Sequence, residues 1–144
     1  MTLRWSYLIL LVFCTHIVHG LLTEAQILAS QKLIRRSCKA KVKITSDEEL
    51  DGLLKGKWEN ISPSTMCYLN CCLSMMKVIS RDGHMNYDSS MKQAASLVPE
   101  RQALMEATLL KCKDAGVDLA DKCEIGYEIA KCFYFDNPQN YIVP

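Results

Sequence analysis

The sequence predicts an all-α fold, a compact bundle of about six helices stapled by disulfides, and three observations predict it. Capping pairs and apolar residues at three- and four-residue spacing recur from Thr23 onward. No segment alternates convincingly as a half-buried strand would. Seven cysteines follow an export-like leader, a density that belongs to exported disulfide frameworks with one thiol left over.

Residues 1–20 read as that leader, an export signal, and are set apart from the fold. Arg4 supplies a positive start, Leu8 to Phe13 an apolar run, and Val18-His19-Gly20 a small-residue end where a signal peptidase would cut. Cys14, Thr15, His16 and His19 keep the run short of the roughly 18 apolar residues a membrane span needs. No second run of that length follows, so residues 21–144 are expected to be one secreted domain without a membrane span. The leader holds one of the 17 Lys and Arg and none of the 16 Asp and Glu, which leaves those residues formally neutral. Nucleic acid and anionic membranes both reward a basic patch, so neither is expected as a partner.

The helices can be placed in order. Thr23 and Gln26 have capping-box form, with Ile27, Ile34 and Cys38 behind them on a first helix. Ser46 and Glu49 repeat the signature for a short second helix that Gly56 stops. Ser62-Pro63 opens a third, expected to run to the break at Arg81-Asp82-Gly83. A fourth lies near Tyr87 to Leu97. Pro99 ends it and starts a fifth, which carries Met105, Leu109 and Cys112 and closes at Ala115-Gly116. The sixth is expected from about Asp118, with Leu119, Cys123, Tyr127, Ala130 and Tyr134 in a stripe, until Asn137-Pro138.

Cys67 and Cys71 are four apart on the third helix, so both sulfurs share a face and one helix can be tied to two neighbours. Leaving Cys72 aside, the gaps from Cys38 through Cys67, Cys71, Cys112 and Cys123 to Cys132 are 28, 3, 40, 10 and 8 residues. Together with Cys67-Tyr68-Leu69-Asn70-Cys71, Lys77-Val78 and the Asp-Gly turn beyond, this pattern resembles the insect odorant-binding and pheromone-binding (PBP/GOBP) family, whose three- and eight-residue gaps are nearly fixed. The resemblance covers the chain from Cys38 to its end. It implies the interlocked pairing Cys38–Cys71, Cys67–Cys123 and Cys112–Cys132, which counting cysteines leaves open. In the chain-entropy model each link restricts the unfolded chain by about 3–4 kcal/mol, enough to offset contacts that an internal cavity forfeits. Cys72 departs from the six-cysteine pattern. Its spacing from Leu69, Met76 and Ile79 puts it in an apolar stripe, so a buried free thiol is expected in preference to an intermolecular disulfide.

The fold so implied encloses an apolar pocket, and the function so implied is that of a carrier binding odorants, pheromones or lipid-like molecules in extracellular fluid. Methionines and aromatics at helical spacing are usually plain core. By the resemblance, part of that set lines the pocket, and Tyr68, Met76, Met91, Met105, Leu109, Tyr127, Phe133, Tyr141 and Ile142 are the candidates. The tail, 133–144, ends in Tyr141-Ile142-Val143-Pro144, apolar where a solvated tail is normally polar. Relatives with such a tail fold it over the pocket as a wall. Matching positions then make Arg35, Tyr68 and the carboxylate of Pro144 a latch, opened when acid protonates the carboxylate. The family also implies a sensory receptor as a partner and is compatible with a homodimer. A salivary or reproductive-fluid scavenger of the same fold is the alternative.

Competing readings fail on particular residues. A plant lipid-transfer protein needs a Cys-X-Cys pair, and the text around Cys112 is Lys111-Cys112-Lys113-Asp114. A secreted phospholipase places a histidine just beyond adjacent cysteines, and here Leu73-Ser74-Met75-Met76 follow. His84, the one histidine after the leader, sits beside Gly83 in a turn with no second ligand or base. No nucleophile elbow, zinc helix or phosphate loop occurs, so no catalytic residue, metal or cofactor is expected. Asn60-Ile61-Ser62 is a glycosylation sequon, disfavoured by Pro63 and the helix start behind it.

Overall fold

The computed structural model describes residues 21–144; the expected export signal lies outside the described residues. Thr23 caps helix α1 (Glu24–Val42) with the full reciprocal box: its hydroxyl accepts from the Gln26 N–H and the Gln26 side chain accepts from its own N–H. Helices α2 (Glu48–Leu54), α3 (Pro63–Met75), α4 (Tyr87–Ala94), α5 (Pro99–Cys112) and α6 (Lys122–Asp136) follow, and a 3-10 turn at Pro138–Asn140 leads into the tail. Among the described residues there is no strand, only an isolated antiparallel bridge between Ile79 and Met85.

Three expected boundaries are corrected. The Ser46–Glu49 box does not form, because Glu49 turns to the next helix. Its carboxylate accepts from the Ser62 N–H and hydroxyl, both at 2.6 Å, and from the Thr65 hydroxyl, tying α2 to the first turn of α3. Burial works against its charge, yet these hydrogen bonds hold its carboxyl below the usual range. Helix α3 stops at Met75, well before the Asp-Gly turn. Lys77 enters the left-handed region at φ 56°, its N–H reaching the Ser74 carbonyl and the Val78 N–H the Leu73 carbonyl, the paired bonds of a Schellman end. Helix α6 starts at Lys122 rather than near Asp118, since it is the Asp121 carboxylate that caps the N–H groups of Cys123 and Glu124, at 2.8 and 3.0 Å. Leu119 therefore belongs to the preceding loop, not to the helical stripe.

The hub is α3 against α6. Gly126 lets the two backbones meet, because a Cβ there would lie 2.6 Å from the Asn70 Cα. One turn earlier on each helix, Cys67 and Cys123 are bonded with their Cα atoms 4.3 Å apart. Cys38–Cys71 ties α1 to the same helix α3, and Cys112–Cys132 joins α5 to α6. This is the expected interlocked pairing, and Cys72 is a buried free thiol. Beneath the links, Leu69, Leu73, Ile125 and Ile129 are almost wholly buried and fill the space between α3 and α6.

Candidate ligand pocket and its tail wall

Between α1, α4, α5 and the α3–α6 pair, a cavity of about 440 Å³ remains. Its walls follow from the helix ends already described. Ile27 and Ile34 come from the apolar stripe of α1, Met76 and Val78 from the chain that the Schellman end turns inward, and Ala94 and Leu97 from α4 and its exit. Met105 and Leu109 of α5, Phe133 of α6 and Ile142 of the tail complete the lining. The mouth is ringed by apolar residues that water still reaches, Leu22, Leu33 and Met75, at 40, 62 and 45 % exposure. The Leu22 N–H donates to the Ser96 carbonyl at 2.9 Å, joining the segment before α1 to the α4–α5 loop at this rim.

The tail is held in place from three elements. The Gln31 amide donates to the Ile142 carbonyl at 3.0 Å, the Arg101 guanidinium donates to Asn140 at 3.2 Å, and the Tyr68 hydroxyl donates to the main-chain oxygen of Pro144. Val143 is buried, so the tail contributes core as well as wall. Tyr141 points its ring edge-on to Trp58 and Tyr134, with centroids 6.0 and 5.4 Å away.

Of the nine candidate lining residues, Met76, Met105, Leu109, Phe133 and Ile142 border this cavity, and Tyr68, Met91, Tyr127 and Tyr141 do not. The four departures share a cause: likeness of position relative to a cysteine fixes the helix but not the face. Tyr68 lies wholly buried under the tail. Tyr127 belongs to a separate aromatic cluster around Trp58, and its hydroxyl donates to the Trp58 carbonyl at 2.5 Å. Tyr141 joins the same cluster, and Met91 packs against the core from α4. The contribution of α1, through Ile27, Gln31 and Ile34, was not among the candidates, although the capping box and apolar spacing of that helix are its signature.

The Arg35 part of the latch is corrected as well. Its guanidinium reaches Asp47 at 2.7 Å and Asp51 at 2.8 Å, and it has no ion pair with Pro144. Two carboxylates one helical turn apart at the start of α2 offer more opposite charge than one chain end. Lys39 adds a second cation on Asp47 at 2.6 Å. Tyr68, by contrast, does reach Pro144. Desolvation pushes its phenol far above the ordinary value, with the neighbouring Cys72 adding to the effect, so it remains a protonated donor. Burial likewise pushes the Cys72 thiol up to about 12. Among the described residues no cluster of His, Cys, Asp or Glu could hold a metal ion.

The six described helices, in this disulfide order around an apolar, tail-walled cavity, define an odorant-binding fold, one that binds small hydrophobic ligands. The chain belongs to the PBP/GOBP family, whose model matches residues 21–135. That family consists of odorant- and pheromone-binding carriers, not enzymes. General odorant-binding protein 72 of Anopheles gambiae is 33 % identical over 119 residues, covering 82 % of this chain and 96 % of its own. The crystal structure of odorant binding protein 4 of Chrysopa pallens superimposes with a TM-score of 0.77 at 36 % identity, covering 85 % of this chain and 99 % of that one. A fatty acid binding protein from the oral disk of the blowfly Phormia regina has the same fold, with a TM-score of 0.59 at 26 % identity over 83 % of this chain and 97 % of its own. No described helix is long and apolar enough to cross a membrane.

Proposed function

We propose that residues 21–144 form a secreted carrier that takes up small hydrophobic molecules, odorants, pheromones or lipid-like compounds, and moves them through extracellular fluid. Residues 1–20 direct export and are removed. The observation that carries this reading is the cavity itself: apolar walls from five helices and the tail, open at one rim. Ligand burial at about 25 cal/mol per Å² of apolar surface drives binding.

Release works through the tail. Ile142 is part of the wall, so whatever loosens the chain beyond Asn137 opens the pocket. Around the Tyr68–Pro144 bond stand Arg35 with its two aspartates, the Cys72 thiol and the Tyr141 hydroxyl. The phenols and thiol stay neutral in acid. A carboxylate at Pro144 loses acceptor strength when protonated, so affinity falls as pH falls.

Displacement of a neutral naphthylamine fluorophore by a panel of odorants and fatty molecules tests the reading. Saturable binding is expected, abolished by Ala94→Phe, which fills the cavity, with the melting temperature maintained. Binding that survives a filled cavity would place the ligand elsewhere.

A further inference from the structure

We propose that this pocket selects uncharged ligands with one hydrogen-bonding group, alcohols foremost, over carboxylates and ammonium ions of the same chain length, and that Gln31 is the specificity-determining residue. The proposal rests on the carrier reading above. Among the described residues that line the cavity, none is Lys, Arg, His, Asp or Glu. Arg35, beside the Tyr68 anchor, is already engaged by two aspartates, and Arg101, on the tail, by Glu24. A charged head drawn into such a site loses its hydration and gains no counter-charge, which disfavours its ionised form.

The polar atoms that do line the cavity carry a direction. Ser30 donates its hydroxyl hydrogen to the Gln26 carbonyl at 2.9 Å, Ser90 to the Asn86 carbonyl at 2.9 Å, and Ser96 to the Gln93 carbonyl at 2.6 Å. With those hydrogens committed, each serine has only lone pairs left, so it can accept but not donate. Gln31 commits one N–H to the Ile142 carbonyl and makes no other hydrogen bond to the described residues. Its second N–H and its Oε1 remain for a ligand. Gln93 turns its amide nitrogen to the Ser89 carbonyl and hydroxyl, at 3.4 and 3.5 Å, so the lining offers several acceptors and little donation. An alcohol supplies the missing donor. A carboxylate brings two more acceptors and a charge, and meets neither a cation nor a serine able to donate.

The test compares saturated alcohol, methyl ester, carboxylate, alkylammonium and plain hydrocarbon of one chain length, each displacing the naphthylamine fluorophore from the full chain. Near neutral pH the alcohol is expected to bind at least about tenfold tighter than the carboxylate or the ammonium ion. The alcohol-to-acid ratio should shrink as pH falls into the ordinary carboxylate range, because the acid then enters uncharged. Taking the ratio cancels any effect of acid on the tail. Gln31→Leu should lower the ratio of alcohol to hydrocarbon affinity, a ratio in which any loosening of the tail cancels, and Gln31→Arg should raise carboxylate affinity above that of the alcohol. If the carboxylate binds as tightly as the alcohol at neutral pH, the head stays in water at the mouth and the proposal is overturned while the carrier reading stands. If neither alcohol nor hydrocarbon displaces the fluorophore, the carrier reading fails and takes the proposal with it.

Discussion

The Tyr68 hydroxyl donates to the main-chain oxygen of Pro144, 76 residues further along the chain. One end of this bond sits between Cys67 and Cys71 on a helix with two disulfides, and the other closes the tail. The bond therefore anchors the tail to a cross-linked helix. Tyr68→Phe removes the oxygen and keeps the ring. A hydrogen bond of this sort contributes about 1 kcal/mol, so ligand affinity should fall roughly fivefold through faster dissociation. Stopped-flow release of the fluorophore measures it. An unchanged dissociation rate would show that the tail does not gate the pocket.

Tyr127 marks the contrast, because it is buried and aromatic yet serves the core. Its hydroxyl satisfies the Trp58 carbonyl, and its ring packs against Trp58 at a centroid distance of 6.1 Å. Tyr127→Phe leaves that carbonyl unpaired and should cost about 1–3 kcal/mol of stability. Affinity per folded molecule should not change. Urea unfolding and fluorophore titration of one sample separate the two quantities, and a selective loss of affinity would move Tyr127 to the ligand.

Cys72 is wholly buried beside Tyr68, and burial pushes its thiol up to about 12. Only the thiolate reacts with alkylating reagents, so two obstacles act together, occlusion and protonation. Labelling at pH 8 should be slow in the native chain and immediate in denaturant, with peptide mapping under non-reducing conditions finding Cys72 alone unpaired. Rapid native labelling would mean that α3 opens locally around the tail contact.

The order of helices was legible because it depends on local chemistry, whereas the disulfide pairing was legible only through the family resemblance that the cysteine gaps carry. Thr23, Ser62 and Pro99 announce helix starts by what they can accept or cannot donate. The pocket was half legible. Met76, Met105 and Leu109 follow from apolar spacing, but which side of α6 faces the cavity depends on Gly126, whose missing side chain sets the approach to Asn70. Trp58 was illegible as the centre of an aromatic cluster, since it stands outside any helix and its partners Tyr127, Tyr134 and Tyr141 come from distant chain. Arg35 failed for the same reason: its partners Asp47 and Asp51 are set by how α2 turns back, not by distance from Cys38.

Acid should act on stability and on ligand release through different groups. The Lys39 ammonium and the Arg35 guanidinium, hydrogen-bonded to Asp47, hold its carboxyl below the usual carboxylate range. A folded-state value below the unfolded one, about 3.9, means stability that is present above that pH and is lost as pH falls through the folded value. The Asp47 carboxyl is 46 % exposed, so the effect is modest and salt-sensitive. Asp47→Asn should flatten the loss of stability below about pH 4 and converge with the parent at still lower pH, where both are uncharged. Arg35→Ala should do the same, and should leave the pH dependence of affinity intact, because its guanidinium holds α2 rather than the tail. Deleting Tyr141 to Pro144 should do the reverse, flattening the affinity profile from pH 7 to pH 4 with the acid unfolding slope retained. Thermal melts and fluorophore titrations of the three variants across that range read both quantities. If Arg35→Ala and the truncated chain share one flattened affinity profile, the guanidinium belongs to the latch after all.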